Sequence, residues 1–201
     1  MPLPFDLLLA LTIYAFVSSI TPGPNNLMLL ASGVNFGFRR TVPHMLGTGG
    51  GFTVMTALVG LGLAGIFTAY PPARQALTVV SVLYLLWLAW KVAHAAPPGD
   101  ATAASDGLPL TAMQAAGFQW VNPKAWSMAL TANTLYAPAA DLPSVLTVAL
   151  VFGAVNLPSV SGWAYLGTAM RGVLSDPARL RAFNRAMAAL LVATLWPVLR
   201  G

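Results

Sequence analysis

The chain has 201 residues, of which 57% are hydrophobic and only 7% are charged. Because charged residues make up about a quarter of an ordinary soluble domain, this composition excludes a water-soluble protein and indicates an integral membrane protein. The formal net charge of +5 does not indicate a nucleic-acid partner, since the basic residues lie at the ends of apolar segments, where they orient a membrane protein.

The first predicted membrane span is interrupted by the hexapeptide Thr-Pro-Gly-Pro-Asn-Asn at positions 21–26. Pro22 and Pro24 lack a backbone N–H, and their rings clash with the preceding turn of a helix, while Gly23 is the residue best able to take whatever backbone angles the break requires. The apolar run that contains them, residues 3–34, is too long for one straight span of about 20 residues and too short for two. A helix broken at these prolines is therefore expected.

Two further spans complete the first half of the chain. A short basic loop is expected at 37–40 and span two over 41–67. In span two the spacing of Gly47 and Gly51 lets two helix backbones approach closely, and both glycines are also candidates for lining a cavity. Span three is expected over 73–93. Near its end lie aromatic and basic residues typical of a membrane interface, namely Tyr84, Trp87, Trp90, Lys91 and His94.

The second half repeats the pattern of the first. Residues 95–109, which are rich in proline, glycine and small side chains, predict a cytoplasmic linker that divides the chain into three-helix repeats at 1–94 and 110–201. The first span after the linker contains a second proline break, Asn-Pro-Lys at 122–124. The spans expected in this half are 110–135, 144–170 and 182–199.

The fold class predicted from this pattern is an all-α membrane protein, a single membrane domain with six transmembrane helices in two groups of three. The first helix of each group is broken at proline. Because each group has an odd number of spans, the second must insert upside down, which makes an inverted 3+3 repeat. Loops on one side carry seven basic residues and the other side carries two, so the first side is expected to be cytoplasmic and both termini periplasmic. The seven are Arg39, Arg40, Lys91, Arg171, Arg179, Arg181 and Arg185, and the two are Arg74 and Arg200.

The first break carries the two partial charges that an α-amino acid head requires. Carbonyl groups of the turn before it, around Ser18 and Ile20, lose their usual donors and form a negative end that suits an ammonium group. Beyond it, the N–H groups of Asn25, Asn26 and Leu27 begin a new helix and attract a carboxylate. The alternative is a kinked helix whose polar groups satisfy one another. The residues predicted to bind substrate here are Thr21, Pro22, Gly23, Pro24, Asn25 and Asn26.

The second break repeats this logic with a full charge. Asn122, Pro123 and Lys124 are predicted to bind substrate, with the Lys124 ammonium pairing with the substrate carboxylate. A lysine within a membrane span is costly and therefore indicates a function. The alternative is that Lys124 extends to an interface or holds a helix end by bonding its carbonyls. Proline or glycine interruptions at matching places in two halves point to the binding site of a transporter.

Two further polar positions lie in predicted spans. His44 has a near-neutral pKa that suits proton transfer, but a histidine placed just after Arg39 and Arg40 is expected to sit at the level of the lipid headgroups. Asn156 and Ser159 flank a proline in span five. Asn156 is a candidate for lining the cavity, and the alternative is that both side chains join neighbouring helices.

The sequence contains no constellation for catalysis, metal binding or a cofactor. It has no cysteine and only two histidines, which form no convincing metal site without carboxylate or thiolate partners. Glutamate is absent, no pair of carboxylates lies within a span, and no base is placed to activate a serine or threonine. We therefore expect neither an enzyme nor a cofactor-binding protein.

Five motifs connect the sequence with a known family. They are Thr-Pro-Gly-Pro-Asn-Asn at 21–26, Gly-Phe-Arg at 37–39, Gly47 with Gly51-Phe52, Tyr84 with Trp-Leu-Ala-Trp-Lys at 87–91, and Val-Asn-Pro-Lys at 121–124. In these motifs, their order and their spacing, the chain resembles the lysine-exporter/RhtB-type (LysE/RhtB) family of amino-acid efflux proteins. The first and fourth motifs are most similar to those of the cysteine/O-acetylserine exporter branch.

The resemblance implies a secondary transporter with six spans in the bacterial inner membrane. It implies export of small neutral amino acids or derivatives, of the cysteine/O-acetylserine or homoserine/threonine type, against proton entry. The implied partners are the amino-acid substrate, membrane lipid and a coupling proton. Many relatives carry an acidic residue in the fifth span, where this chain has Asn156, so a carboxylate proton carrier is missing there. The alternative function is a non-transporting membrane scaffold or assembly factor with a vestigial site.

Overall fold

The computed structural model describes residues 4–95 and 108–196. The regular structure in these two ranges is helical and contains no strand, which confirms the predicted all-α class. Most of the predicted linker lies outside the described residues, and the division into two repeats stays a prediction. The helices are α1 (Phe5–Ile20), α2 (Pro24–Phe36), α3 (Phe38–Leu58), α4 (Gly65–Ala69), α5 (Pro72–Ala93), α6 (Ala112–Gln119), α7 (Pro123–Tyr136), α8 (Leu142–Ala169) and α9 (Pro177–Ala193).

Both predicted helix breaks are present. In the first half, α1 ends at Ile20 and α2 begins at Pro24, and the two helices are bent by 55°. In the second half, α6 ends at Gln119 and α7 begins at Pro123. Each of these prolines occupies the start of the new helix, where a backbone N–H would have no intrahelical partner and its absence is tolerated.

The prediction of a basic loop at 37–40 is wrong. Only Gly37 separates α2 from α3, and its φ of 80° lies in the left-handed region that favours glycine. Because α3 begins at Phe38, Arg39 and Arg40 lie in its first turn. Both arginines thus remain at one end of a helix, where the positive charges still bear on membrane orientation.

Two other helix ends differ from the predicted spans. After α3 the chain forms a π-helical turn, Val59–Leu63, in which Gly62 has a φ of 102°, and the short α4 follows. In the second half α9 begins at Pro177 rather than at 182, because the Asp176 carboxylate caps it by accepting from N–H groups of the first turn. These hydrogen bonds, chiefly that from the Arg179 N–H, lower the pKa of the Asp176 carboxyl.

Within the described residues, three helical segments are long and apolar enough to cross a membrane: Phe38–Leu63, Pro72–Ala93 and Leu142–Ala169. The bent pair α1 and α2 makes a fourth if the pair counts as one broken span. Helices α6, α7 and α9 contain 8, 14 and 17 residues, fewer than the about 20 residues of a single straight span. The six-helix inverted repeat therefore stays a prediction.

Helix α8 organises the packing of the described helices. It packs against α1, α2 and α3, while α3 also packs against α6, and α5 against α9. The α3–α6 contact depends on glycine: a Cβ atom at Gly47 would overlap the Ala112 carbonyl oxygen, and one at Gly51 would lie 2.5 Å from the Cα of Ala116. The close backbone approach predicted from the spacing of these two glycines is confirmed.

Large apolar side chains cover the outside of the bundle. Phe5, Leu83 and Leu150, for example, are 77%, 63% and 64% exposed. A soluble monomer rarely exposes apolar side chains over so wide a surface, whereas lipid tails solvate them. The packed helices and their apolar exterior support the inference from composition that this is a membrane protein.

Candidate functional site

The two proline breaks lie against each other. In the first turn of α7, the Lys124 ammonium donates to the Thr21 carbonyl oxygen at 2.5 Å. At the start of α2, Asn25 exchanges two amide hydrogen bonds with Gln119 at the end of α6, at 2.8 and 3.1 Å. The structure thus brings together the two groups of predicted site residues, which are distant in sequence.

Protein donors already occupy the carbonyl groups at the end of α1. The Asn26 side-chain amide donates to the carbonyl oxygens of Ser19 and Thr21, at 2.8 and 2.9 Å. The Trp163 indole N–H donates to the Ile20 carbonyl oxygen at 3.2 Å. The cation at this break is the lysine ammonium from the other break, and it bonds the carbonyl of Thr21 rather than those of Ser18 or Ile20.

The N-terminus of α2 is bonded less completely. The Leu27 N–H donates to the Gly23 carbonyl oxygen at 3.0 Å, so the prediction that it lacks an acceptor is wrong. No described side chain caps this helix, and the N–H groups of Asn25 and Asn26 stay available to an anion. By contrast, the side chain of Asn122 caps α7.

A small cavity lies between the two breaks, α3 and α8. Its volume is about 20 Å³, which is room for about one water molecule. Polar groups come from both breaks, and the remaining wall is apolar. The lining residues are Ser18, Ser19, Gly23, Asn25, Asn26, Phe52, Asn122, Lys124, Ala125, Met128 and Asn156.

Asn156 brings an unused acceptor from α8 to this cavity. Its Nδ2 donates to the Ser19 hydroxyl at 3.2 Å, while its Oδ1 is buried without a hydrogen-bond partner among the described residues. An unsatisfied buried acceptor costs about 1–3 kcal/mol, a cost that an N–H donor of a ligand would remove. The prediction that Asn156 lines a cavity agrees with its position here.

The positive charge of Lys124 has no carboxylate to neutralise it within the described residues. The carboxylates that the structure describes, Asp6, Asp141 and Asp176, are all exposed at helix starts. The aliphatic part of Lys124 lies along Gly23, where an added Cβ would be 2.6 Å from the lysine Cδ. Gly23 itself is extended, with a φ of −170°, so glycine is needed here for this close approach and not for its backbone angles.

The remaining predicted residues take different places. Gly47 and Gly51 are not among the residues that line this cavity and instead contact α6. Pro22 is exposed at the break. Two functional candidates escaped the sequence analysis: Gln119, which pairs with Asn25 across the breaks, and the indole of Trp163. A glutamine inside an apolar span is a signal for Gln119, since buried polar groups there require partners.

His44 is buried among the helices, and the expectation that it sits at the level of the lipid headgroups stays a prediction. Its side chain is 2% exposed, inside the packed part of the protein. The second histidine, His94, is exposed at the end of α5. No group of three histidine or carboxylate side chains that could hold a metal ion occurs among the described residues.

Comparison with known proteins supplies a family. The profile of the LysE type translocator family matches residues 16–194. The cysteine/O-acetylserine efflux protein of Salmonella typhimurium (strain LT2) is 32% identical over 168 residues, which cover 80% of this chain and 82% of the relative. The protein of the same name from Escherichia coli (strain K12) is 28% identical over 192 residues, 92% of this chain and 94% of the relative. No solved structure matches the chain.

Proposed function

Because the chain belongs to the LysE type translocator family, we propose that it is a secondary transporter that exports a small neutral amino acid or derivative from the cytoplasm. A translocator is a transporter and not an enzyme, as the sequence predicts. The substrate class is supported by the relatives, which are named for the efflux of cysteine and O-acetylserine. Both compounds are small and carry an ammonium and a carboxylate on one carbon.

The observation that carries this proposal is the hydrogen bond between the Lys124 ammonium and the Thr21 carbonyl oxygen. The protein's own ammonium occupies the place that suits the ammonium of an amino acid. In the loaded state, the substrate ammonium replaces it at Thr21 and donates to the free Oδ1 of Asn156. Lys124 then turns to the substrate carboxylate, which also meets the N–H groups at the start of α2.

The size of the cavity supports a small substrate side chain. Phe52, Ala125 and Met128 form its apolar wall, opposite the polar groups of the breaks. At about 20 Å³ the cavity is smaller than any amino acid, so binding requires the helices around it to separate. Breaks in two neighbouring helices supply places at which such a movement bends the chain without disrupting whole helices.

The proposed setting is the bacterial inner membrane, with six spans in an inverted 3+3 repeat. Support comes from two helix contacts: α1 packs against α8, and α6 packs against α3. If α1 corresponds to α6 and α3 corresponds to α8, these are the same contact exchanged between the repeats. The excess of basic residues at one set of helix ends favours a cytoplasmic location for that side and a periplasmic location for both termini.

A flux measurement in proteoliposomes tests the function. Vesicles containing the purified protein are loaded with radiolabelled cysteine (kept reduced) or O-acetylserine, and loss of label is followed with and without unlabelled compound outside. We expect saturable, concentration-dependent efflux that exceeds the rate in protein-free vesicles. Absence of such flux for every small neutral amino acid tried, with folded protein present, would support the scaffold alternative instead.

A further inference from the structure

A second cavity lies at the membrane side where the basic residues collect. It has a volume of about 60 Å³, enough for several water molecules. The end of α2, the start of α3, the end of α5 and residues 108–110 enclose it. Its polar lining comes from Ser32, Asn35, His44 and Lys91, and the rest of the wall is apolar.

His44 is the unusual member of this lining. It is 2% exposed, and neither Nδ1 nor Nε2 has a hydrogen-bond partner among the described residues. Its polar neighbours are satisfied: Ser32 bonds Thr41 at 2.9 Å, and Asn35 bonds Asn184 at 3.0 Å. Burying two unpaired ring nitrogens is costly, and a hydrogen-bond partner or a proton at either nitrogen would remove part of that cost.

The surroundings of His44 contain few other titratable groups. On the cavity wall the charged side chain is Lys91 of α5. Several helices pack against α3. Two of them, α2 and α6, contain no titratable side chain. Helix α8 contains Tyr165, which packs on the ring of Phe38, and α7 contains Tyr136 and Lys124. On α3 itself Arg39 and Arg40 precede the histidine by more than one turn.

We propose that His44 is the proton-binding group of the transporter, and that the cavity connects it to water on the basic side. This inference rests on the proposed export function. One proton bound at a ring nitrogen on entry leaves to cavity water, and one substrate molecule moves the opposite way. The described carboxylates cannot take this role, because Asp6, Asp141 and Asp176 are all exposed at helix starts.

The packing supplies a path from His44 to the substrate site. His44 follows Thr41 by three positions, so both lie on the same face of α3. The Thr41 hydroxyl bonds Ser32 of α2, the helix that begins at the first break. A charge gained at His44 faces the Lys91 ammonium across the cavity, and their repulsion favours a wider separation of α3 from α5. Proton binding therefore biases the position of the helices that enclose the break.

The first test uses the fact that the chain has only two histidines. In a His94→Gln variant purified without a histidine tag, ring-labelled histidine reports His44 alone by NMR. We expect the ring signals of His44 to change with pH as the imidazole takes up a proton, and the midpoint of that change to shift when O-acetylserine is added. An imidazole that stays in one protonation state with and without substrate would overturn the proposal.

The second test separates coupling from transport. Exchange of labelled for unlabelled substrate across the vesicle membrane moves no net proton, whereas accumulation against a gradient needs the imposed pH difference. We expect His44→Gln to retain substrate exchange but to lose the accumulation that a pH gradient drives. The control variant His94→Gln should retain exchange and gradient-driven accumulation. Gradient-driven transport that survives in His44→Gln contradicts the role of His44. If the wild-type protein shows no substrate exchange, the proposed export function itself is contradicted.

Discussion

At the residue scale, Lys124 carries the sharpest prediction. Replacing it with glutamine removes the charge that would pair with a substrate carboxylate. A hydrogen bond to a charged group contributes about 1.5–3 kcal/mol, and 1.4 kcal/mol corresponds to a tenfold change. We therefore expect Lys124→Gln to lower flux per folded molecule at least about tenfold. Lys124→Arg should restore part of the activity at best, because a planar fork replaces a compact ammonium.

Arg74→Gln is the matched control for the lysine variants, since Arg74 is an exposed cation at the start of α5. It should transport like the wild type. If Lys124 only holds the end of α1, glutamine would either support normal flux or lower protein yield and activity together. Normal flux in Lys124→Gln would leave the backbone groups at the first break as the remaining candidate for binding the amino-acid head.

Gly23 gives an independent probe of the same contact. Its extended backbone accepts any residue, so Gly23→Ala should insert and fold. The added methyl group would lie 2.6 Å from the Lys124 Cδ and must displace the lysine from its place beside Thr21. We expect a fall in flux with unchanged yield and unchanged thermal stability. Wild-type flux in Gly23→Ala would show that the position of Lys124 does not matter for transport.

The individual groups of the site were only partly visible in the sequence. Proline, glycine and a lysine inside an apolar run identify both breaks, because each is costly in an unbroken membrane helix. The hydrogen bond from Trp163 to Ile20, and that between Asn25 and Gln119, depend on how separate helices pack. No local pattern in the chain specifies those distances.

At the scale of elements, the contact between α3 and α6 allows a matched pair of substitutions. A Cβ at Gly47 would overlap the Ala112 carbonyl oxygen, whereas nothing lies within 4 Å of a Cβ at Gly50. Overpacking costs about 1–3 kcal/mol, and each kcal/mol shifts the melting temperature by about 2–4 °C in a chain of this size. We expect Gly47→Ala to melt earlier than the wild type in detergent.

Gly50→Ala should melt at the wild-type temperature or later, because alanine favours a helix over glycine by about 1 kcal/mol. Equal melting temperatures of the two variants would mean that α3 and α6 separate easily in the folded protein. Both variants keep the residues of the two cavities, so binding of substrate can be compared in the same samples.

Hydrophobicity and the positions of the prolines predicted which helices exist, but they predicted the ends of those helices less well. The apolar runs predicted α5 and α8 nearly as observed. The π-helical turn Val59–Leu63 and the single-residue junction at Gly37 were not predicted. Both depend on backbone angles at one glycine, and a glycine in a sequence permits such angles without requiring them.

At the scale of the whole molecule, the excess of basic residues on one side predicts the orientation. A reporter that is active only in the cytoplasm should give a signal when fused within the linker near position 100, and none when fused at the C-terminus. A reporter that is active only in the periplasm should give the complementary result when it is fused at the C-terminus. The opposite pattern at both sites would reverse the proposed direction of the carrier.

The count of spans is where sequence and structure agree least. The sequence suggests six, while three segments, or four with the bent pair, have the length and composition of a membrane span among the described residues. Breaking a helix at proline divides one apolar run into two pieces that are each too short. Of the pieces that the described residues show, only α1 and α2 together have the length and composition of a span, and a crossing formed by α6 with α7 stays a prediction.

The ammonium that rests on the Thr21 carbonyl oxygen has a consequence for the cell's energy supply. Carbonyl groups at the end of a helix attract small cations. Where such carbonyl groups lie inside a membrane without a bound positive charge, sodium or potassium ions can bind them and leak down the electrical gradient. A tethered positive charge repels those ions whenever no solute is loaded. Sodium entry into vesicles under an imposed potential should therefore rise when Lys124→Gln replaces the wild type. An equal entry rate for both proteins would show that another part of the molecule keeps the resting carrier ion-tight.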